Sequence, residues 1–150
     1  MHRITPYLLG LTCVADPVPA AAAELAGGGQ HSWIRLPDGS LRTWGNNIRG
    51  QLRDGTTETR RLPTLVPGLT GVVAVAAGAE FTLALKADGS VWAWGANDLG
   101  QLGQGDSADR SVSIQVSGLS GISAISAGAR HALALHIQRV SLEETSEVAQ

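Results

Sequence analysis

Two aspartates, Asp38 and Asp88, two histidines, His31 and His131, and the run Gly100-Gln-Leu-Gly-Gln-Gly105 are the residues whose types could do chemistry. Paired carboxylates suit general acid–base catalysis, histidines suit proton transfer or metal ligation, and a glycine-rich loop suits phosphate binding. Their surroundings argue against all three. Each aspartate precedes a glycine, in Asp38-Gly39-Ser and Asp88-Gly89-Ser, where aspartate serves a turn through its local hydrogen bonds. Phe81 falls midway between His31 and His131, so the position accepts an aromatic ring and favours packing over ligation. The glycine run lacks the Lys-Ser/Thr of a phosphate loop and any helical pattern after it. Asp106 and Asp109 lack the alternating ligands of a calcium loop. Cys13 is the single cysteine, which rules out an intrachain disulfide and argues against a cysteine zinc site. No catalytic residue, metal ligand or cofactor is therefore assigned, and no enzyme activity is expected.

What these residues share is repetition. Asp38-Gly39-Ser-Leu-Arg-Thr-Trp44-Gly45, with Asn47 and Gly50-Gln-Leu52, recurs as Asp88-Gly89-Ser-Val-Trp-Ala-Trp94-Gly95, with Asn97 and Gly100-Gln101-Leu102-Gly103, at a constant offset of 50. Aligned without a gap, residues 28–77 and 78–127 agree at 18 of 50 positions, and most of these are glycines and turn residues. A third copy starts at Gly128 and runs through His131-Ala-Leu-Ala-Leu135 without a third Asp-Gly turn. Repeats of about 50 residues belong to propeller blades and solenoid modules, which bury their faces mainly against neighbours.

Between the turns the pattern has period two. Phe81-Thr-Leu-Ala-Leu85 and Val91-Trp-Ala-Trp94 flank an Asp-Gly turn and read as a β-hairpin. Val72-Val-Ala-Val75 and Ile122-Ser-Ala-Ile125 are further strands, and a weaker fourth lies near Thr64–Val66 and Ile114–Val116. Four short strands per repeat predict an all-β fold of four-stranded antiparallel units. Trp44 and Trp94 are expected in the core; Trp33 and Trp92 are expected nearer the surface.

Net charge is −2, too close to neutral to favour nucleic acid or an acidic membrane. The repeats differ in sign. Residues 28–77 hold six arginines against three carboxylates, a net of +3, whereas residues 78–127 hold two cations against five carboxylates, a net of −3. Arg49, Arg53, Arg60 and Arg61 form an arginine-rich stretch, and they are the candidate interaction loop.

Residues 1–27 read as a leader. An apolar run follows Arg3, Pro19-Ala-Ala-Ala-Ala23 offers a cleavage site of the signal-peptide kind, and Gly27-Gly-Gly29 has linker composition. Cleavage there would place the chain outside the cytoplasm; an uncleaved leader would leave it inside. The run is too short to span a bilayer, so no stable membrane insertion is expected. Residues 138–150 are a polar, acidic tail in which Ser141 and Glu144 could cap one short helix.

The phrase Ala-Gly-x-x-Phe/His-x-Leu-Ala-Leu, followed by Asp-Gly-Ser-Val-Trp-Ala-Trp-Gly-x-Asn-x-x-Gly-Gln-Leu-Gly, resembles the regulator of chromosome condensation repeat, over about residues 28–136. The resemblance implies a β-propeller of four-stranded blades acting as a protein-binding scaffold, with this chain supplying a partial arc: two full repeats and the start of a third. Arg53 stands where the second copy has Gly103, and Arg35 where it has Leu85, which marks the first unit as divergent. No match is found to the nucleotide-exchange element or basic chromatin-binding tail of one branch of the family. The expected role is a non-enzymatic protein-interaction module; the alternative is a structural piece completed by self-association through exposed blade faces or by another chain.

Overall fold

The computed structural model describes residues 23–137. Ten strands follow one another: β1 (Glu24–Gly27), β2 (His31–Arg35), β3 (Leu41–Gly45), β4 (Arg60–Leu65), β5 (Val72–Ala77), β6 (Phe81–Lys86), β7 (Val91–Gly95), β8 (Arg110–Gln115), β9 (Ile122–Ala127) and β10 (Ala132–His136). They form antiparallel meanders in the orders β1-β2-β3-β4 and β5-β6-β7-β8, with β9 and β10 as a third, two-stranded sheet. The sheets meet along β1, β5 and β9, the inner edge of the arc. The result is a partial β-propeller, as the repeat pattern requires.

Each sheet is one strand out of phase with the sequence repeat. β5 closes the block 28–77 in sequence but opens the second sheet, where it pairs with β6. The same phase applies to the first sheet. Glu24–Gly27 pairs with His31–Arg35, so the structure moves the boundary drawn at residue 27 and gives these four residues to the first sheet. Residues 1–22 and the tail 138–150 lie outside the described residues.

Two glycine positions show why the punctuators recur. Gly45 and Gly95 end β3 and β7 at φ 108° and 104°, and a Cβ on either would meet the carbonyl oxygen of Gln30 or Glu80 at 2.5 Å. Gly28, Gly78 and Gly128 lie beneath the rings of His31, Phe81 and His131, which occupy the space a Cβ would need. This stacking explains why the ring position tolerates both histidine and phenylalanine.

The strands alternate as half-buried strands should, and the faces assign the tryptophans. Trp33 pairs with Thr43 and Trp44 pairs with Ser32, so the two rings leave the first sheet on opposite faces. Trp33 and Leu41 face the second sheet, which returns Ala84 and Trp94 to a common core with Val66, Leu69 and Val72. Trp33 is 1% exposed, contrary to the expectation of a surface ring, and its centroid lies 5.3 Å from that of Trp94 at a tilt of 57°. Trp94 is fully buried, but Trp44, expected in the core, is only half-buried. Its face of the first sheet is covered by no other sheet among the described residues. Trp92 is also half-buried, with the Lys86 ammonium 4.5 Å from its ring centroid.

Candidate protein-interaction surface

The surface that differs between copies is built on long loops, residues 46–59 and 96–109, each closed by one buried asparagine. Asn47 Nδ2 donates to Thr56 O and Asp54 Oδ1 while Leu52 N donates to Asn47 Oδ1. Asn97 repeats the arrangement with Asp106 and Leu102. A buried amide satisfied on both ends fixes its loop strongly, because losing it strands several backbone groups at once. The sequence showed both asparagines at the right offset, but not that they hold the loops shut.

The loops wire neighbouring sheets together. Gln51 O accepts from Trp94 Nε1 at 2.9 Å and from Thr82 Oγ1 at 3.2 Å. His31 Nε2 completes the chain by bonding Thr82 Oγ1 at 2.9 Å. Because the Thr82 hydroxyl donates to Gln51, His31 must donate through Nε2, which leaves Nδ1 as the bare nitrogen. Nδ1 is buried without a partner, so burial lowers the His31 pKa from 6.5 to about 4. The ring is neutral at pH 7 and serves the sheet–sheet seam. Backbone bonds from Gly29 N to Gly78 O and from Ala79 N to Ala129 O repeat along the inner edge.

The four arginines of the candidate loop do not form one patch. Arg49 Nη1 reaches Asp109 Oδ2 at 2.8 Å, with Glu80 at 3.9 Å, and the hydrogen bond with Asp109 raises its already high pKa. The opposite charges of the two repeats thus meet within one chain. Arg60 pairs with Asp54 at 2.6 Å. Burial pushes the Asp54 carboxyl up, yet bonds from Thr56, Arg60 and Asn47 outweigh it and hold the pKa below the usual range. Arg53 adopts φ 58° in place of the repeated glycine, donates through Nη1 to Pro67 O, and has its pKa lowered by burial. Only Arg61 is exposed with no ion pair or hydrogen bond among the described residues. Arg35 is paired with Glu24 of β1 at 3.2 Å.

The residues proposed from the repeat phrase are structural in their contacts. Asp38 Oδ1 accepts from Ser40 N, and Asp88 Oδ1 accepts from Ser90 N and Oγ; these serine bonds lower both aspartate pKa values. Asp106 is held by Asn97 and Arg110, and Asp109 by Arg49 and Asn97 N. Among the described residues no group of three His, Cys, Asp or Glu side chains is placed to hold a metal ion. Among the described residues no helix is long and apolar enough to cross a membrane.

Where the copies differ, their side chains converge. Gln30, Glu80 and Arg130 occupy one repeat position and stand side by side along the inner edge, at the turns β1–β2, β5–β6 and β9–β10. With Arg49 and Asp98 they line an open concavity of about 300 Å³. Asp98 has its pKa lowered first by a bond from Gln101 and then by Arg49 and Arg130. Two cations and two anions on one concave floor suit a polar protein surface or loop, with both signs offered to a partner.

The model of the regulator of chromosome condensation (RCC1) repeat matches residues 38–85 and 88–135, and a second model of the same description matches residues 72–101. A human E3 ubiquitin-protein ligase, HERC2, is 45% identical over 62 residues, which is 40% of this chain and 1% of that protein. The zebrafish (Danio rerio) protein RCC2 homolog is 44% identical over 57 residues, 37% of this chain and 12% of its own length. The chain therefore spans a small fraction of the curated relatives it matches. Among solved structures, human WBSCR16 superposes with a TM-score of 0.69 at 25% identity, over 77% of this chain and 31% of that one. Prp20p of Saccharomyces cerevisiae superposes at 0.70 with 19% identity, over 81% and 32%, a likeness of fold alone.

Proposed function

Because this chain belongs to the regulator of chromosome condensation repeat family, we propose that it is a non-enzymatic protein-interaction module that meets its partner through the concavity of Gln30, Arg49, Glu80, Asp98 and Arg130. One observation carries the reading: residues common to the copies are spent inside the sheets and loops, whereas those that vary at one repeat position gather on a single exposed floor. Yeast RCC1 (Prp20) is described bound to Kap60, and Prp20p is described with binding properties to Gsp1p and histones. Of the arginine-rich loop, Arg49 lines the concavity while paired with Asp109 and Arg61 is exposed, whereas Arg53 and Arg60 are engaged internally. The test is capture of partners by the purified chain and by the double variant Glu80→Lys, Asp98→Lys. A partner retained by the wild type and lost by the variant, with the thermal melt unchanged, supports the reading; equal capture by both refutes it.

A second reading is favoured by the arc's uncovered faces. Trp44 is half-buried on one side, and Leu133 and Leu135 are 60% and 54% exposed on the other. Sheet faces of this kind stabilise by stacking on others, so completion of the arc by self-association predicts a sedimentation coefficient that rises with concentration. A concentration-independent monomer would remove it.

A further inference from the structure

The seam between the first and second sheets is filled, whereas the equivalent seam between the second sheet and β9–β10 is packed by Ile122, Ile125, Ala127 and Ala132 on its inner side and open beyond them among the described residues. Thr82 and Ala84 of β6 are buried in the filled seam and Phe81, Leu83 and Leu85 on the strand's other face, with β7 covering one edge and sheets on both faces. The corresponding strand β10 has the same pattern but, among the described residues, an unpaired outer edge, and Leu133, Ala134 and Leu135 are exposed. Beside it opens a groove of about 490 Å³, lined by Leu83, Val91, Leu102 and Val116 of the second unit and by Ala132 and Ala134 of β10.

The filled seam shows what the groove takes. Trp94 lies against Trp33, Leu41 and Val66, the repeat equivalents of Leu83, Val91 and Val116, and its Nε1 donates to Gln51 O. Gln101 is the equivalent of Gln51 and lines the open groove. Thr82, the second donor to Gln51, is replaced at this place by Ala132, which has no hydroxyl. Among the described residues Gln101 O receives neither bond. At the constant offset the chain's own residue for the tryptophan position is Glu144, a carboxylate unsuited to an apolar groove.

From this juxtaposition we propose that β10 and the groove above Gln101 form a docking site for an extended, tryptophan-bearing segment of another polypeptide. The segment adds antiparallel to the outer edge of β10, as β7 adds to β6, and seats its indole on Leu83, Leu102 and Val116 with Nε1–H donating to Gln101 O. Strand addition supplies main-chain bonds, and the indole supplies specificity. The site rests on the reading of the chain as an interaction module; it adjoins the concavity and shares Gln101 and Arg130 with it, but neither Glu80 nor Asp98 lines it, so capture lost on changing those two and peptide binding lost on changing Ala134 are distinguishable.

The probe is a capped synthetic peptide with the sequence of residues 88–97, Asp-Gly-Ser-Val-Trp-Ala-Trp-Gly-Ala-Asn, titrated calorimetrically into the full chain. Saturable one-to-one binding is expected, weakened roughly tenfold or more when the peptide's second tryptophan is alanine, since a buried ring and a donor are lost together. The chain variant Ala134→Arg, a change at an exposed position, should abolish binding without moving the melt. Hydrogen exchange should slow at β10 amides on saturation. Absence of binding, as when residues 138–150 or a second copy already fill the groove, overturns the proposal. So does binding that survives loss of the tryptophan or leaves β10 unprotected.

Discussion

Acidification from pH 7 to pH 5 should weaken this fold mainly through one side chain, His31. Its folded pKa of about 4 lies below the 6.5 of an ordinary histidine. Between those values the unfolded chain takes up a proton that the folded chain refuses. Stability is therefore complete above the unfolded pKa, falls as pH drops through it, and levels off below the folded pKa. The full shift corresponds to about 3 kcal/mol, of which about 2 kcal/mol is lost between pH 7 and pH 5. The carboxylates with lowered pKa, Asp38, Asp54, Asp88 and Asp98, lose their contribution at more acid pH, as it falls from the ordinary carboxylate pKa through their lowered ones. The window thus isolates the imidazole. The control is His31→Phe, because Phe81 already occupies the equivalent place over Gly78 and the Thr82 hydroxyl keeps its bond to Gln51 O. Urea unfolding followed by circular dichroism, at one chain concentration, should show the wild type losing about 2 kcal/mol across the window and the variant losing less than about 0.5 kcal/mol. Parallel loss in both proteins would refute the assignment of a buried, neutral His31.

Two further predictions separate packing from strain. Trp94→Ala should cost about 3–5 kcal/mol, the range for a large buried ring, and Trp44→Ala only about 1–2 kcal/mol, because its face is uncovered; equal losses in urea unfolding would contradict the opposed faces of the first sheet. Arg53→Gly should be more stable than Arg53→Ala by about 1 kcal/mol, since both lose the bond to Pro67 O but only glycine relieves the positive φ; thermal melts that rank them the other way would remove strain from the account.

Much of the fold is legible in local pattern, because each hairpin carries its own turn and its own alternation. The Asp-Gly turns, the paired runs of β6 and β7, and the offset of 50 all survive in the structure. β1 is harder to see, since Glu24–Gly27 is short and merges into an alanine- and glycine-rich stretch. A signal was present: Val72–Ala77 and Ile122–Ala127 each end just before the glycine of the next copy, and the same phase places a strand ahead of Gly28. The tryptophan faces were not legible in the same way. Alternation fixes that Trp33 and Trp44 oppose each other only once their cross-strand register is known, and it never states which face meets a neighbour. The partners of the arginines were illegible for a related reason. Arg49 and Asp109 are 60 residues apart, and a loop rich in cations looks free until the next sheet brings its carboxylates alongside.

The phase shift between repeat and sheet has a bearing on how such a chain can be lengthened or cut. Each block of 50 residues ends by contributing the innermost strand of the sheet that follows, so consecutive blocks are dovetailed rather than abutted. Severing the chain between residues 77 and 78 would strip the second sheet of β5 and leave that strand on the first block as an unpaired end. Inserting a further block at any phase would add one complete sheet and preserve every joint. Growth by whole repeats is thus structurally permissive, while breakage at the repeat boundary is costly to both halves.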